Sequence, residues 1–151
     1  MIRKKLKRPV AGLLALAFLA GCDRAPAVTV EDAIVTLPAL PGGAGGGYFH
    51  LATNAPGERL AAVSSPAAER IELHETTAQG AMTGMKPIER PAFDEDRTLV
   101  FAPGGRHAML FGLKPGLKPG DRIAISFTFA HAQPVTVEAE VRGPGQGHAG
   151  H

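Results

Sequence analysis

Ile123-Ala124-Ile125-Ser126-Phe127-Thr128-Phe129 and Val135-Thr136-Val137-Glu138-Ala139-Glu140-Val141 place an apolar side chain at every second position. Successive side chains of an extended chain leave opposite faces, so a period of two marks strands with one face turned to a core. Working back towards the N-terminus, shorter runs of the same kind are Val28–Val30, Tyr48–Thr53, Leu60–Val63, Ile71–Leu73, Leu99–Phe101 and Met109–Phe111. Turn residues punctuate them at Pro41-Gly42-Gly43, Ala55-Pro56-Gly57, Pro103-Gly104-Gly105 and Lys118-Pro119-Gly120-Asp121. Apolar spacing of three and four is scarce. Many short strands with regular turn signals predict an all-β fold, an antiparallel sandwich or barrel. Residues 27–142, roughly 116 in all, suit one domain with a modest core.

The N-terminus reads differently. Arg3, Lys4, Lys5, Lys7 and Arg8 precede the apolar run Val10–Ala20, which ends in Gly21-Cys22. A charged stretch, a short apolar stretch and small residues at the end form an export signal, and the run is too short for a transmembrane helix of about 20 residues. Leu19-Ala20-Gly21-Cys22 resembles the bacterial lipobox, in which Cys22 becomes the lipid-modified first residue. Residues 1–21 are then expected to leave, 22–26 to link the anchor, and 27–142 to form the domain. Asp23 resembles the residue that holds lipoproteins in the inner membrane of enteric bacteria, which points to the periplasmic side of that membrane.

Charge and cysteine content narrow the function. The whole chain carries 16 Lys+Arg and 14 Asp+Glu, a formal +2. Loss of the five basic residues of the signal leaves 11 against 14, or −3, so nucleic-acid binding has no electrostatic footprint. Cys22 is the only cysteine, so the exported domain stands without a disulfide. The glycine run Gly42–Gly47 leads into Tyr48-Phe49, lacks a Gly-Lys-Ser/Thr ending and opens no helix. It is expected to be a flexible connector and not a phosphate cradle. No serine sits in a Gly-x-Ser-x-Gly elbow and no pair of carboxylates can be nominated, so an enzyme has no support. The last nine residues, 143–151, are Gly- and Pro-rich and read as a disordered tail; His148 and His151 in it are either an auxiliary metal-capturing arm or idle.

The remaining signal is methionine. Apart from Met1, the methionines Met82, Met85 and Met109 fall between positions 82 and 109, interleaved with histidine. Ten residues separate His74 from Met85, twenty-one separate Met85 from His107, and His107-Ala108-Met109 follows. Thioether sulfur with neutral imidazole suits a soft monovalent ion such as Cu(I), whereas magnesium or calcium calls for oxygen donors. If its run is extended, His107 and Met109 share a face and can share an ion. His74 closes the strand Ile71–Leu73, and Met85 lies in a Gly- and Pro-rich stretch expected to be irregular. Alone, a methionine more often fills a core gap; together and so spaced, these residues favour a metal site. Met82 stands three residues before Met85 and reads as packing or as a further sulfur. His50 and His131 read as surface or structural histidines.

On these residues the chain resembles the periplasmic copper chaperones of the PCuA(C) type, whose signature is His, ten residues, Met, twenty-one residues, His-x-Met. His74, Met85, His107 and Met109 match it without a gap, and Glu72-Leu73-His74-Glu75, Met85-Lys86-Pro87-Ile88 and Met109-Leu110-Phe111-Gly112 extend the likeness. It covers about residues 47 to 141. Thr76 departs from it, because many members carry a methionine there.

The resemblance implies a cupredoxin-like antiparallel β-sandwich of Greek-key type that binds Cu(I) through His74, Met85, His107 and Met109. It also implies delivery of copper to the binuclear centre of cytochrome oxidase, with an oxidase subunit or a Sco-like protein as partner; separately, the tail histidines His148 and His151 are candidates for capturing Cu(II). A blue-copper electron carrier would need a cysteine thiolate, which the domain lacks. A periplasmic copper-sequestering or resistance protein could use the same residues, and transfer to a partner separates the two.

Overall fold

A computed structural model describes residues 24–79 and 82–147; Cys22, His148 and His151 lie outside them. Nine strands follow in order: β1 (Val28–Thr36), β2 (Gly45–Thr53), β3 (Leu60–Ser64), β4 (Arg70–Gln79), β5 (Met82–Pro87), β6 (Thr98–Phe101), β7 (Arg106–Phe111), β8 (Arg122–Phe129) and β9 (Val135–Arg142). The fold is all-β, and no helix occurs among the described residues.

Hydrogen bonding runs β3-β8-β9-β1-β2-β7-β4-β5, with β6 attached to β2. All neighbours but one are antiparallel: β1 runs parallel to β9 from Ile34 beside Glu140 to Thr36 beside Arg142. The expected antiparallel arrangement thus holds for every strand pair but this one, which makes the sheet mixed. That contact joins the first strand of the domain to the last.

The path folds over so that alternate residues meet inside. The ring of Phe49 on β2 lies 4.5 Å from that of Phe101 on β6 and edge-on, at 4.8 Å, to that of Phe127 on β8. Leu51, Leu60, Leu99, Leu110, Ile125 and Val141 complete a buried cluster. The period-2 runs of β8 and β9 explain this directly, since Ile123, Ile125, Phe127, Phe129, Ala139 and Val141 are all buried.

Three local expectations change. The glycine run is not a connector throughout: Gly45, Gly46 and Gly47 begin β2, opposite Leu110, Met109 and Ala108 of β7. A Cβ on Gly45 would lie 2.7 Å from the Thr36 carbonyl oxygen, and one on Gly47 would lie 3.0 Å from Ala108 Cβ. Glycine is required there by close approach of three strands, not by flexibility.

The stretch around Met85 is also regular. It forms β5, paired with β4 from Gln79 beside Met82 to His74 beside Pro87. All its residues are exposed, so the strand is held at the sheet edge by its backbone ladder and shows no apolar alternation. Pro87 is tolerated because the neighbouring ladder bond runs from the Ile88 N–H to the Leu73 carbonyl. Correspondingly, His74 does not close a strand but sits inside β4.

Finally, residues 143–147 form a turn in which the Gln146 side-chain oxygen accepts from the Gly143 N–H at 3.1 Å. Gly147 is buried against the Tyr48 ring and Pro103. The sequence-expected tail is thus held at its start, because glycine lets the chain lie flat on an aromatic ring.

Candidate metal centre

Strand register collects the four expected ligands on one face. His74 on β4 is the direct partner of His107 on β7, and Met109 follows His107 by two positions, so it shares that face. Thr76 follows His74 by two and is the partner of Met85 on β5. The face opposite carries Leu73 and Leu110, which pack on the core.

The contacts sharpen the picture. His107 Nδ1 lies 3.1 Å from the Gly105 carbonyl oxygen, and its Nε2 lies 3.2 Å from Met85 Sδ. A carbonyl can only accept, so in the neutral imidazole the proton stays on Nδ1 and Nε2 holds a lone pair. A nitrogen lone pair and a thioether sulfur thus face each other with no proton between them. The His74 and His107 rings lie 6.1 Å apart between centroids with planes 29° from parallel.

Met85, His107 and Met109 line an open basin with Tyr48, Thr76 and Gly46. Gly46 opposes Met109 across β2 and β7, and a Cβ there would meet Thr36 Oγ1 at 2.8 Å and Tyr48 Oη at 2.9 Å. Burial raises the Tyr48 phenol above its ordinary pKa. His74 stands deeper, with its side chain 15% exposed, and outside the basin lining.

Sequence reading missed one participant. Glu72 lies two residues before His74 on the same face, opposite Met109, and its Oε2 lies 3.1 Å from His74 Nε2. The hydrogen bond from His74, and then that from Arg70, hold the Glu72 carboxyl below the ordinary range. Its position two residues from a histidine in an extended run was the available signal. His74 Nδ1 is buried and has no hydrogen-bond partner, the one such side-chain atom found among the described residues.

Other histidines and methionines fall elsewhere. Met82 is the partner of Gln79, an odd step from Thr76, so it belongs to the face opposite Met85 and cannot join it on one ion; its role as a further sulfur there is withdrawn. It is 78% exposed. His50 Nδ1 lies 3.5 Å from Asp32 and His131 Nδ1 lies 3.5 Å from Glu58. No group of three His, Cys, Asp or Glu residues among the described residues is arranged to hold a metal.

A cupredoxin-like β domain that presents two imidazoles and two thioethers on one sheet face has the fold of solved PCuAC domains. Solved proteins that share the fold include the apo PmoF2 PCuAC domain (20% identity, 83% of this chain and 98% of that chain, TM-score 0.67) and DR1885 from Deinococcus radiodurans. The apo solution structure of the latter is 28% identical over 98% of this chain and 99% of that chain, with a TM-score of 0.59. Its Cu(I) form is 27% identical over 82% and 80%, with a TM-score of 0.59.

The chain belongs to the LpqE-like family, described as "Putative lipoprotein LpqE-like", whose model matches residues 28–141. A curated relative, "Putative lipoprotein Lxx21020" of Leifsonia xyli subsp. xyli (strain CTCB07), is 36% identical over 80 residues, 52% of this chain. The match spans about half (48%) of that relative's length.

Proposed function

We propose that this protein is an extracytoplasmic Cu(I) metallochaperone that holds its cargo through His74, Met85, His107 and Met109. The observation that carries the reading is the 3.2 Å approach of His107 Nε2 to Met85 Sδ, which in the Nδ1–H tautomer sets two lone-pair donors face to face. A soft cation turns that repulsive pair into two bonds, and Met109 on the same face adds a second neutral sulfur. Thioethers favour the reduced ion and carry no proton to lose. The likeness to DR1885, solved with Cu(I), supports the same cargo.

Release proceeds by ligand exchange. Met85 sits on an exposed edge strand and is itself 63% exposed, so an incoming thiolate or imidazole meets this ligand first, and the more buried His74 lets go last. No bond of a substrate is made or broken. The acceptor in this reading is an oxidase copper subunit or a Sco-like protein, and the chain is tethered by lipidated Cys22 on the periplasmic side of the inner membrane. The lipoprotein names of the family and of the Leifsonia relative support the anchor. His148 and His151 act as an auxiliary arm that captures Cu(II).

The test is an anaerobic competition titration with a chromophoric Cu(I) chelator, comparing the chain without its signal segment and the His107→Ala, Met109→Ala double variant. Tight one-to-one binding that disappears in the variant is the expected result. Weak binding, or binding indifferent to both substitutions, removes the chaperone reading.

A further inference from the structure

Arg70, Glu72 and His74 occupy alternate positions of β4 and therefore leave the sheet on the site face. They form a connected row. The Arg70 guanidinium lies 4.2 Å above the Phe111 ring, and its Nε donates to Glu72 Oε1 at 2.6 Å. The other carboxylate oxygen, Oε2, meets His74 Nε2 at 3.1 Å. A carboxylate only accepts, so the proton of neutral His74 belongs on Nε2 and the lone pair on Nδ1. That Nδ1 is the buried atom left without a partner, and a buried polar atom in that state calls for an occupant.

We propose that Glu72 is the positioning residue of the metal centre: it fixes His74 as the Nε2–H tautomer, so that the ion is taken by Nδ1 of His74 and by Nε2 of His107. The inference rests on the copper reading above and adds to it which nitrogens bind and what orients one of them. The two imidazoles have opposite tautomers because their anchors differ: His107 is held at Nδ1 by the Gly105 carbonyl, His74 at Nε2 by a carboxylate. The anionic anchor also strengthens the His74 donor, as carboxylate partners of ligating histidines do. Arg70, clamped on Phe111, keeps the carboxylate from swinging towards the basin as an oxygen ligand.

The test uses the chain without its signal segment, labelled with 15N in histidine, in mildly alkaline solution where imidazole is neutral. Long-range 1H–15N spectra identify the tautomer without metal, and a Cu(I) competition titration measures affinity. In the unsubstituted protein His74 is expected as the Nε2–H form, with its Nδ1 resonance moving when Cu(I) binds. Glu72→Ala is expected to mix the tautomers and weaken Cu(I) binding about 10- to 100-fold. In Glu72→Gln the amide oxygen still accepts, so the tautomer is kept while the charge is lost, and affinity falls between the two. Movement of His74 Nε2 instead of Nδ1, or a Glu72→Ala protein with the unsubstituted tautomer and affinity, overturns the proposal while leaving the copper reading intact. Failure of the unsubstituted protein to bind Cu(I) overturns both.

Discussion

His107 and Met85 touch at 3.2 Å although their strands never pair with each other. β7 and β5 lie on opposite sides of β4, so the Met85 side chain reaches over β4 at Thr76, its direct partner. A short side chain at position 76 leaves that crossing open. Cu(I) affinity is therefore expected to fall at least about 10-fold, or 1.4 kcal/mol, in Met85→Ala, and to fall further in His107→Ala. Met82→Ala, on the other face, is expected to leave it unchanged. Chelator competition on the three variants checks this ranking, and an effect of Met82 equal to that of Met85 contradicts the face assignment.

The sequence carried the site further than it carried the strands around it. His107-Ala108-Met109 showed its common face because β7 is half buried and alternates, and β8 and β9 were legible for the same reason. β5 was not, since an edge strand exposed on both faces needs no apolar pattern and its Gly84 and Pro87 read as breakers. The parallel contact of β1 with β9 was hidden too, because it joins residues about a hundred positions apart and rests on backbone groups common to every sequence. Glu72 was in plain view in Glu72-Leu73-His74, but only the hydrogen bond separates a positioning carboxylate from a solvated one.

Gly45 offers a test of the glycine run as a strand. A Cβ there would lie 2.7 Å from the Thr36 carbonyl oxygen and 2.8 Å from Leu113 Cδ1. The leucine can rotate away, but the backbone oxygen cannot, so Gly45→Ala is expected to destabilise the fold by about 1–3 kcal/mol as other overpacked sites do. In a flexible connector the same change would be neutral or slightly stabilising. Urea unfolding of the two proteins decides between these signs.

Phe127 tests whether the core and the metal face are separable. Its ring is fully buried and packs edge-on against Phe49, and it does not line the basin of the ligands. Phe127→Ala is expected to cost about 3–5 kcal/mol of stability. In the fraction that remains folded, Cu(I) stoichiometry is expected to stay at one per chain. Thermal unfolding reads the loss of stability, and a Cu(I) competition titration reads the stoichiometry; an ion bound only by the native state also raises the midpoint.

Glu58 is the buried charge among the described residues, 1% exposed, and it ties two loops together. Its Oε1 accepts from the backbone N–H groups of Arg59 at 2.9 Å and His131 at 3.0 Å, and its Oε2 from that of Ala132 at 2.9 Å. Burial, the largest influence, pushes its pKa up. The three N–H donors and the nearby His131 imidazole together outweigh burial and hold the carboxyl below its ordinary value. Glu58→Gln sets an amide N–H against one of those donors, and is expected to cost about 2 kcal/mol at neutral pH. A depressed native pKa means that the ionised carboxylate stabilises the fold fully above the unfolded-state value of about 4.3. That contribution is lost as pH falls through the lower native value, where the folded state must also take up the proton. The stability gap between the unsubstituted protein and Glu58→Gln is thus expected to be present down to about pH 5 and to close in stronger acid. Urea titrations at stepped pH measure it; a gap that does not change with pH would mean that hydrogen-bond shape, and not the carboxylate charge, secures the Glu58 loop.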